Sequence, residues 1–197
     1  MRVTGSSDLE TLYRFRHEVY VNDLGWLPPH PSGLLRDDYD DLSYNYAALD
    51  ECGSVIGSIR VVPDNPAGLP LERINPLNGY RDGGRRIVEL CRFAVARDHR
   101  GGPLSAVLMK AGYQRAAMMD ATHIVLDTYV GDGEATSLYL KMGYQRVTNE
   151  YDDHFQLREL PSVTLACDRR AAERLWDEER PALAQFFRQP DSSIDHG

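Results

Sequence analysis

Apolar and polar positions change period several times along the chain, and each change marks an expected boundary between a helix and a strand. After Ser6-Ser7-Asp8, a group able to cap a helix, apolar residues follow at helical spacing as far as Tyr20, and Gly25 ends the pattern. Alternating or continuous apolar runs favour strands, and later apolar stripes favour helices. The further elements predicted are strands at 44–49, 54–62, 87–96, 123–129, 144–148 and 162–167, and helices at 104–119, 134–142 and 169–187.

The order of these elements predicts one domain built on a mixed sheet. A helix precedes two strands that a short turn joins into a hairpin, and strands then alternate with helices. We therefore predict the α/β (α+β) class, with a mostly antiparallel central sheet covered by helices on both faces. Residues 1–188 form the predicted single domain, and the polar residues 189–197 are expected to be a mobile tail.

The segment 27–43 interrupts the pattern between the first helix and the first of these strands. It is mostly polar, contains Pro31 and Gly33, and carries an acidic run at 37–41. A loop of this length without secondary structure is usually either disordered or functional. The pattern alone leaves both interpretations open.

Composition and charge exclude several classes of function. The 197 residues include 22 Lys and Arg against 30 Asp and Glu, a net charge of −8 at pH 7. That excess argues against binding to nucleic acid or an anionic membrane, since both need a positive face. The three cysteines are scattered, and residues 1–10 lack the apolar run of a signal peptide. We expect a cytoplasmic protein with free thiols, no membrane span and, because its histidines show no ligand spacing, no metal.

The passage from the long apolar strand at 87–96 into the following helix is the most informative stretch. Arg97, Arg100 and the Gly101-Gly102 pair stand in the turn, and Pro103 precedes the helix. Free N–H groups and the helix dipole make a helix N-terminus an anion site, and glycines let a phosphate approach the backbone. An ordinary turn between a strand and a helix accounts for the same residues equally well.

The stretch "FAVARDHRGGPLSAVLM", followed by "SLYLKMGYQRV", resembles the GCN5-related N-acetyltransferase (GNAT) superfamily. The resemblance covers residues 87–147 and implies a GNAT fold, in which the Arg/Gly loop holds the pyrophosphate of acyl-coenzyme A. The residues that the resemblance places at this cofactor are Val95, Arg97, Arg100, Gly101, Gly102, Leu104 and Ser105.

A second resemblance covers residues 13–95. The motifs "YRFRHEVYVNDLGW", "RDDYDDLS", "GSIRVVP" and "ELCRFAV" resemble the acyl-homoserine-lactone synthases, whose core the N-acyl amino acid synthases share. Cys91 stands where those synthases typically have a serine. The resemblance implies that the substrate-binding residues are Arg16, Trp26, Asp37, Asp40, Arg60, Arg92 and Phe93.

The reaction that these families imply sets its own requirements. Aminolysis of a thioester needs an amine freed of its extra proton, a polarised carbonyl and a proton for the departing thiolate. Glu89, between the apolar Val88 and Leu90, is expected to take the ammonium proton, and Tyr139 to protonate the thiolate. Arg92 lies three residues after Glu89, so the two side chains project to opposite faces of the strand unless a bulge intervenes.

The other charged motif residues suit the two ends of an amino-acid-like acceptor. Asp37 and Asp40 could anchor a cationic amine, while Arg16 and Arg60 could bind a carboxylate or a phosphate of the donor. Structural alternatives remain, namely an ion pair at Arg16, a solvated loop at the aspartates, and core packing at Trp26 and Tyr139.

These observations predict an N-acyltransferase that moves an acyl group from an acyl-CoA or acyl-carrier-protein thioester to a small amine acceptor. The alternatives are an acyl-homoserine-lactone synthase using S-adenosylmethionine, an acetyl-coenzyme A acetyltransferase, and a ligand-sensing GNAT domain without turnover. A local excess of arginine also predicts a basic patch that steers an acidic acyl carrier protein; coenzyme A phosphates or internal ion pairs are the other uses. The patch comprises Arg81, Arg85, Arg86, Arg92, Arg97 and Arg100.

Overall fold

A computed structural model describes residues 2–3, 6–77, 79–130, 133–153, 157 and 160–196. The strands are β1 (Arg2–Val3), β2 (Tyr44–Leu49), β3 (Val55–Pro63), β4 (Ile87–Val95), β5 (His123–Tyr129), β6 (Gln145–Arg146) and β7 (Ser162–Asp168). The helices are α1 (Ser6–His17), α2 (Leu104–Met118), α3 (Gly133–Lys141), α4 (Arg169–Glu179) and α5 (Pro181–Arg188). None of the helices in these described ranges is long and apolar enough to cross a membrane.

The seven strands form one sheet in the order β1-β2-β3-β4-β5-β7-β6. Every neighbouring pair is antiparallel except β4 and β5, which run parallel. The predicted mixed, mostly antiparallel sheet flanked by helices is therefore confirmed. Two details differ from the sequence prediction, since β1 was not expected and β6 is much shorter than the strand predicted at 144–148.

The strands bury side chains on both faces. On one face Val88, Leu90 and Ile124 belong to the larger core cluster, against which α2, α4 and α5 pack. On the other face Ile87 and Val125 belong to a smaller cluster, which the segment between β3 and β4 covers. Successive residues of a strand point to opposite faces, so the alternation of these residues follows from the period of the strand. Glu89 and Cys91 consequently lie on the same face as Ile87.

Two irregularities shape the middle of the sheet. The parallel ladder joins 87–89 to 123–125 and stops there, although β4 continues to Val95 and β5 to Tyr129. In the β3–β4 ladder, Ser58 pairs with Ala94 but Arg60 pairs with Cys91, so β4 holds one extra residue. This β-bulge bends β4, and Arg92 within it has a φ of +50°. The strands β4 and β5 therefore part beyond Glu89 and leave an opening in the sheet.

Residues 189–196 make defined contacts with the domain, whereas their polar composition had indicated a mobile tail. Ile194 is only 6% exposed and belongs to the larger core cluster. Asp191 forms an ion pair with Lys110 of α2 at 3.2 Å. The ring Nδ1 of His196 lies 2.7 Å from the hydroxyl of Tyr46. Ile194 is the one large apolar residue of this otherwise polar segment, and its burial fixes the segment against the domain.

Gly143, which follows α3, allows a sharp end to that helix against α4. Its φ is +91°, and a Cβ at this position would lie 3.1 Å from the Cβ of Ala172. We expect Gly143→Ala to lower the free energy of unfolding by about 1–3 kcal/mol, because an L side chain is strained in this conformation. Denaturant unfolding measures the change. Gly79→Ala is the matched control, since its φ is ordinary and nothing lies within 4 Å; equal stabilities of the two variants would contradict the prediction.

Candidate active site

A cavity of about 480 Å³ lies where β4 and β5 part. Leu90, Leu126 and Tyr139 line it from the side of the larger core cluster. Arg60 and Glu89 line it from the opposite face of the sheet. Because residues of both faces share one cavity, the opening between the strands connects the two sides. A long, narrow substrate could therefore reach through the sheet at this point.

The segment after α1 forms an apolar wall of the cavity. A π-helix, Glu18–Asp23, extends α1, and Trp26 follows it with its ring in edge-to-face contact with Tyr129, centroids 5.0 Å apart. Leu35 donates its N–H to the carbonyl oxygen of Tyr13 at 3.0 Å, which holds the segment against α1. Residues 27–43 are thus ordered against α1, and several of them line the cavity. Trp26 also lines the cavity, and its role in substrate binding stays a prediction.

Glu89 occupies the last position of β4 that pairs with β5. Its side chain is buried, and Oε2 accepts a hydrogen bond from the N–H of Leu71 at 2.9 Å. Burial, and next the charge of Asp127, raise the pKa of Glu89 to about 8. A carboxyl group with such a pKa exchanges its proton near neutral pH, which is the range that a general base requires.

Asp127 also lines the cavity, and it was not among the residues predicted from the sequence. It lies on β5, two residues beyond Val125, the partner of Glu89, so both carboxyl groups are on the same face of the sheet. Burial and the charge of Asp153 raise its pKa to about 6. The signal was present, since an aspartate within the apolar run at 123–129 is as unusual as a glutamate within β4.

A chain of ion pairs begins in the interior behind the cavity. Arg16 of α1 donates to Oδ1 of Asp40 at 2.8 Å and to the amide oxygen of Asn45 at 2.6 Å. Oδ2 of Asp40 lies 3.1 Å from Nη1 of Arg60. The side chains of Arg16 and Asp40 are 0% exposed. Arg16 and Asp40 are enclosed and bonded to one another, although Nε of Arg16 has no partner among the described residues, and their role in substrate binding stays a prediction.

The same chain ends at the cavity. Arg60 binds Asp37 through both of its terminal nitrogens, at 2.7 and 3.0 Å. Arg92 donates to Oδ2 of Asp37 at 2.8 Å. Burial alone would raise the pKa of Asp37, but these two guanidinium groups hold it well below its usual range. Asp37 is thus an anion paired with two arginines at the cavity, and its role as an anchor for a cationic amine stays a prediction.

The β-bulge determines whether the side chains of Glu89 and Arg92 lie on the same face of the sheet. Because β4 gains a residue there, Arg92 lines the same cavity as Glu89 and Cys91 instead of pointing away. The Sγ of Cys91 accepts a hydrogen bond from Nε of Arg60 at 3.3 Å. Burial raises the pKa of Cys91 to about 12, so this residue stays a neutral thiol.

Two aromatic residues of the prediction also reach the cavity. Phe93 lines it, and its carbonyl oxygen accepts the hydroxyl hydrogen bond of Tyr20 at 2.8 Å. Tyr139 of α3 lines it from the other face, with 5% of its surface exposed. Tyr139 therefore packs in the core and lines the cavity at the same time. Core packing and the predicted role as a proton donor do not exclude each other.

The turn predicted to bind the donor's phosphate lies at the far end of β4. It comprises a 3₁₀ turn at Arg97–His99, then Gly101 with a φ of +73°, and Pro103 as the N-cap of α2. The first N–H groups of a helix lack partners within it. A Cβ at Gly102 would meet only the carbonyl oxygen of His99, at 3.5 Å, so the backbone there is approachable.

The predicted cofactor residues surround this turn and do not line the cavity. Both Arg97 and Arg100 form ion pairs with the carboxylate of Asp23. Nε of Arg100 also donates to the carbonyl oxygen of Val95 at 3.0 Å. Leu104 and Ser105 begin α2. The strand β4 therefore connects a candidate anion site at one end with Glu89 at the other.

The predicted basic patch does not exist as one surface. Arg81, Arg85 and Arg86 precede β4, and Arg97 and Arg100 follow it. Nine residues of strand separate the two groups, which corresponds to roughly 30 Å. Arg81 forms ion pairs with Glu72 and Asp64. The structure corrects the prediction because proximity in sequence does not bring the two ends of an extended strand together.

Within the described ranges, no group of three or more His, Cys, Asp and Glu side chains is placed to hold a metal ion. The clustered carboxylates of the cavity are instead paired with arginines or raised in pKa by burial.

Solved structures with this architecture include that of FeeM, an N-acyl amino acid synthase from uncultured soil microbes. It superposes with a TM-score of 0.73 at 15% identity, over 93% of this chain and 94% of that one. The CoA-dependent acyl-homoserine lactone synthase BjaI, solved with SAM and isopentyl-CoA, gives a TM-score of 0.67 at 21% identity, over 96% and 86%. A GNAT-family acetyltransferase of Staphylococcus aureus gives 0.54 at 13% identity, over 84% and 96%. These likenesses establish the GNAT fold.

Curated relatives match over shorter stretches. The isovaleryl-homoserine lactone synthase of Bradyrhizobium diazoefficiens is 32% identical over 106 residues, 52% of this chain and 48% of the relative. The acyl-homoserine-lactone synthase of Pseudomonas fluorescens is 43% identical over 56 residues, 26% and 29%. The L-ornithine N(alpha)-acyltransferase of Rhodobacter capsulatus is 27% identical over 119 residues, 54% and 46%. The chain thus spans about half or less of the length of these relatives.

A family model described as "N-acyl amino acid synthase FeeM" matches residues 11–168, which include every residue of the cavity and of the turn before α2 discussed above. Together with the GNAT fold, this match shows that the chain belongs to the N-acyl amino acid synthase family.

Proposed function

We propose that the protein is an N-acyltransferase that moves an acyl group from a thioester to the amine of a small amino-acid-like acceptor. The observation that carries the proposal is the position of Glu89, a buried carboxyl group with a raised pKa at the point where β4 and β5 part. A base at this point meets an amine arriving from one face and a thioester arriving from the other. Relatives in several acyltransferase families support the same class of reaction.

The residues of the cavity supply the groups that the transfer needs. Glu89 accepts a proton from the acceptor's ammonium, and the freed nitrogen attacks the thioester carbonyl carbon. A C–N bond forms, the C–S bond breaks, and the sulfur leaves as a thiolate. Tyr139, on the opposite face of the sheet from Glu89, donates the proton that converts the thiolate to a thiol, and it is reprotonated by the second proton that the attacking nitrogen loses. The proton held by Glu89 returns to solvent, so the transfer releases one proton overall. The products are an N-acyl compound and a free thiol.

The donor is an acyl-CoA or acyl-carrier-protein thioester, whose phosphate lies on the turn before α2 in this proposal. The distance along β4 supports it, because a pantetheine arm must extend from a phosphate to a reacting carbonyl well inside the domain. In a carrier protein the same arm ends in a phosphodiester, so one turn would serve either donor. Phe93 and Trp26 would then contact the acyl chain or the acceptor.

A lactone synthase using S-adenosylmethionine is the second candidate, favoured by relatives described as acyl-homoserine-lactone synthases. Incubation with an acyl-CoA and S-adenosylmethionine distinguishes the two, because only lactone formation releases methylthioadenosine. Thiol release with acyl-CoA and amino acids, followed colorimetrically, tests the proposed function itself. A protein that binds the donor but releases no thiol with any amine is a sensor, and the proposal then fails.

Glu89→Gln removes the base and keeps the shape of the side chain. We expect kcat to fall by about 10²- to 10⁴-fold, the usual contribution of a general base. Because the pKa of Glu89 is raised to about 8, wild-type activity should decline as pH falls below that value, and this limb should be absent from the variant. Steady-state thiol release across the pH range measures both. Near-normal activity with an unchanged pH profile would remove Glu89 from the mechanism.

Stability provides a separate test of the same carboxyl group. The folded protein binds the Glu89 proton more tightly than the unfolded chain, so wild-type stability falls as pH rises from the usual range of Glu to about 8. The glutamine of the Glu89→Gln variant does not titrate. The free energy of unfolding of the variant should therefore rise relative to that of wild type between about pH 5 and about pH 9. Urea unfolding at the two pH values measures the difference.

Glu72→Gln is the matched control for this experiment. The hydrogen bond from Arg81 lowers the pKa of Glu72, so ionisation of Glu72 stabilises the fold above the usual range of Glu. Both test pH values lie above the usual range of Glu, so we expect this variant to be less stable than wild type by about the same amount at each of them. A stability difference that changes with pH equally in both variants would contradict the assignment of a raised pKa to Glu89.

Gly102→Glu tests the turn before α2. We expect it to abolish donor binding, because a carboxylate would stand where a phosphate must approach the backbone. Calorimetry with a non-hydrolysable acyl-CoA analogue measures the affinity. Gly102→Ala is the control, since the site has room for a Cβ and the φ of Gly102 is ordinary. Unchanged affinity in a folded Gly102→Glu protein would place the phosphate elsewhere.

A further inference from the structure

The segment between β3 and β4 covers the face of the sheet on which Glu89 lies. It contains a 3₁₀ turn at Pro70–Arg73. Leu71 in this turn is 4% exposed and belongs with Ile87 to the smaller core cluster. The N–H of Leu71 donates to Oε2 of Glu89 at 2.9 Å. A backbone N–H outside the sheet therefore orients the buried carboxyl group.

Glu72 holds the entry of this turn. Its Oε2 accepts a hydrogen bond from the N–H of Leu69 at 2.9 Å, and the carbonyl oxygen of Leu69 accepts the N–H of Glu72 at 3.0 Å. The first N–H groups of a helical turn have no partners within it, so a side chain that accepts one of them stabilises the turn. Leu71 lies between the two bonded residues, and its N–H is held in place with them.

Arg81 binds Glu72 from outside the turn. Nε donates to Oε1 of Glu72 at 2.8 Å, and Nη2 forms an ion pair with Oε2. Nη1 donates to Oδ2 of Asp64. A guanidinium that binds a carboxylate through two nitrogens has a more defined geometry than a single contact. Glu72→Gln keeps an oxygen that can accept from both Arg81 and Leu69, so Arg81 is the residue to vary.

These contacts close a ring that begins and ends on β4. Asp64 follows directly after β3, and its N–H donates to the carbonyl oxygen of Ile87 at 3.3 Å. Ile87 lies two residues before Glu89 on β4. The ring therefore runs from β4 through Asp64, Arg81, Glu72 and the turn back to Glu89. It fixes the position of the turn relative to the strand.

We propose that Arg81 is a positioning residue for Glu89, because it holds the turn Pro70–Arg73 where the Leu71 N–H meets Oε2 of the carboxyl group. The inference rests on the proposed function, in which Glu89 is the base. With Oε2 held by the N–H, the carboxyl group keeps one orientation in the cavity. Arg81 lies outside the described lining of the cavity and acts through the turn.

Withdrawal of the Leu71 N–H changes the proton affinity of Glu89. The groups that face Glu89 are Asp127 from β5, Arg60 from β3, Cys91 from β4, Tyr151 from the segment between β6 and β7, and the Leu71 N–H. A hydrogen bond to the ionised form lowers the pKa of a carboxyl group, so its loss raises the pKa of Glu89 above about 8. Because the base acts in its ionised form, the acidic limb of activity then moves to higher pH.

Arg81→Met keeps the apolar length of the side chain and removes all of its N–H donors. Thiol release from decanoyl-CoA is measured with the fastest amine of a panel of amino acids and alkylamines. We expect kcat to fall roughly 10- to 100-fold, since a misplacement of about 1 Å at a catalytic group can cost 10²-fold. The KM values should change little, and the acidic limb should move up by roughly half a pH unit or more.

A conservative variant and a matched control accompany this experiment. Arg81→Lys keeps the charge but replaces the planar fork by a single ammonium, so we expect a kcat between those of Arg81→Met and wild type. Arg188→Met removes an arginine that binds both oxygens of Asp177, at 2.6 and 2.9 Å, outside the described lining of the cavity. Its kcat and pH profile should equal those of wild type.

A double-mutant cycle tests whether Arg81 acts through Glu89. The Glu89→Gln protein has no base to orient, so adding Arg81→Met should lower its residual rate by less than about 3-fold. Losses that add in full would show that Arg81 supports the fold or another group.

Unfolding provides a readout that needs no turnover. Stability linked to the Glu89 proton is lost as pH rises to the pKa of the folded state, about 8 in wild type and higher in Arg81→Met. The stability difference between this variant and wild type should therefore grow between about pH 7 and about pH 10. In the Glu89→Gln background, that growth should vanish, because position 89 no longer titrates.

The outcomes separate the inference from the proposed function. A wild-type kcat in Arg81→Met, an unmoved acidic limb or fully additive losses overturn the inference and leave the acyltransferase proposal standing. A higher KM for an acyl-carrier-protein donor alone, with Arg81→Lys equal to wild type, also overturns it and assigns Arg81 to docking of that partner.

An absence of thiol release by wild type with any amine overturns the proposed function. The unfolding experiment then still decides whether Arg81 holds the Leu71 N–H on Glu89. If Arg81→Met does not fold, Arg81→Lys supplies the same comparisons of kcat, pH profile and unfolding, and a wild-type result in all three overturns the inference.

Discussion

The site depends on one constraint, the end of backbone pairing between β4 and β5 after three positions. Neighbouring strands of a sheet normally leave no space between them, since their backbones are hydrogen-bonded at about 4.8 Å. Where the pairing ends, a cavity opens that residues of both faces line. Glu89 is the last paired residue of β4, and its backbone is therefore fixed by the sheet while its side chain borders the opening.

The bulge in β4 decides which charges reach this opening. Without the extra residue, Arg92 would point to the face opposite Glu89. With it, Arg92 joins the chain of alternating charges that runs from Arg16 through Asp40, Arg60 and Asp37. Removing one partner of such a buried chain leaves an uncompensated charge, which costs several kcal/mol. Arg92, with a φ of +50°, donates a hydrogen bond to Asp37, and its carbonyl oxygen accepts one from the hydroxyl of Ser58.

The electrostatics of the cavity divide its carboxyl groups into two kinds. Asp37 and Asp40 have arginine partners and serve to hold the structure, whereas Glu89 and Asp127 have no arginine at bonding distance among the described residues and have raised pKa values. Groups of the second kind destabilise the empty protein, because burial disfavours their charged forms. Their pKa values bring proton exchange into the physiological range. The protein therefore loses some stability at the opening between β4 and β5.

The sequence by itself determined the helices and strands, because the period of the hydrophobic residues and the Gly and Pro residues at the ends of the elements are local properties. β2 and β5 have the predicted limits, and the limits of β3, β4 and α2 differ by one residue. Motif order along the chain also identified the fold class and several residues of the cavity, since these motifs record residue types in a fixed order. Glu89 was recognised because a carboxyl group within an apolar strand is unusual wherever the strand lies.

Tertiary structure alone decided which of these residues act together. The buried state of Arg16 and Asp40, the commitment of Asp37 to two arginines and the separation of the predicted basic patch all depend on distances between segments far apart in sequence. Asp127 became a site residue only when β5 was placed beside β4. The bulge at Arg92 is set by the register between β3 and β4, a long-range property that no local pattern encodes. The sequence specifies the type of each side chain. The partners of a side chain, its exposure to solvent and the balance of nearby charges arise only when the strands are assembled.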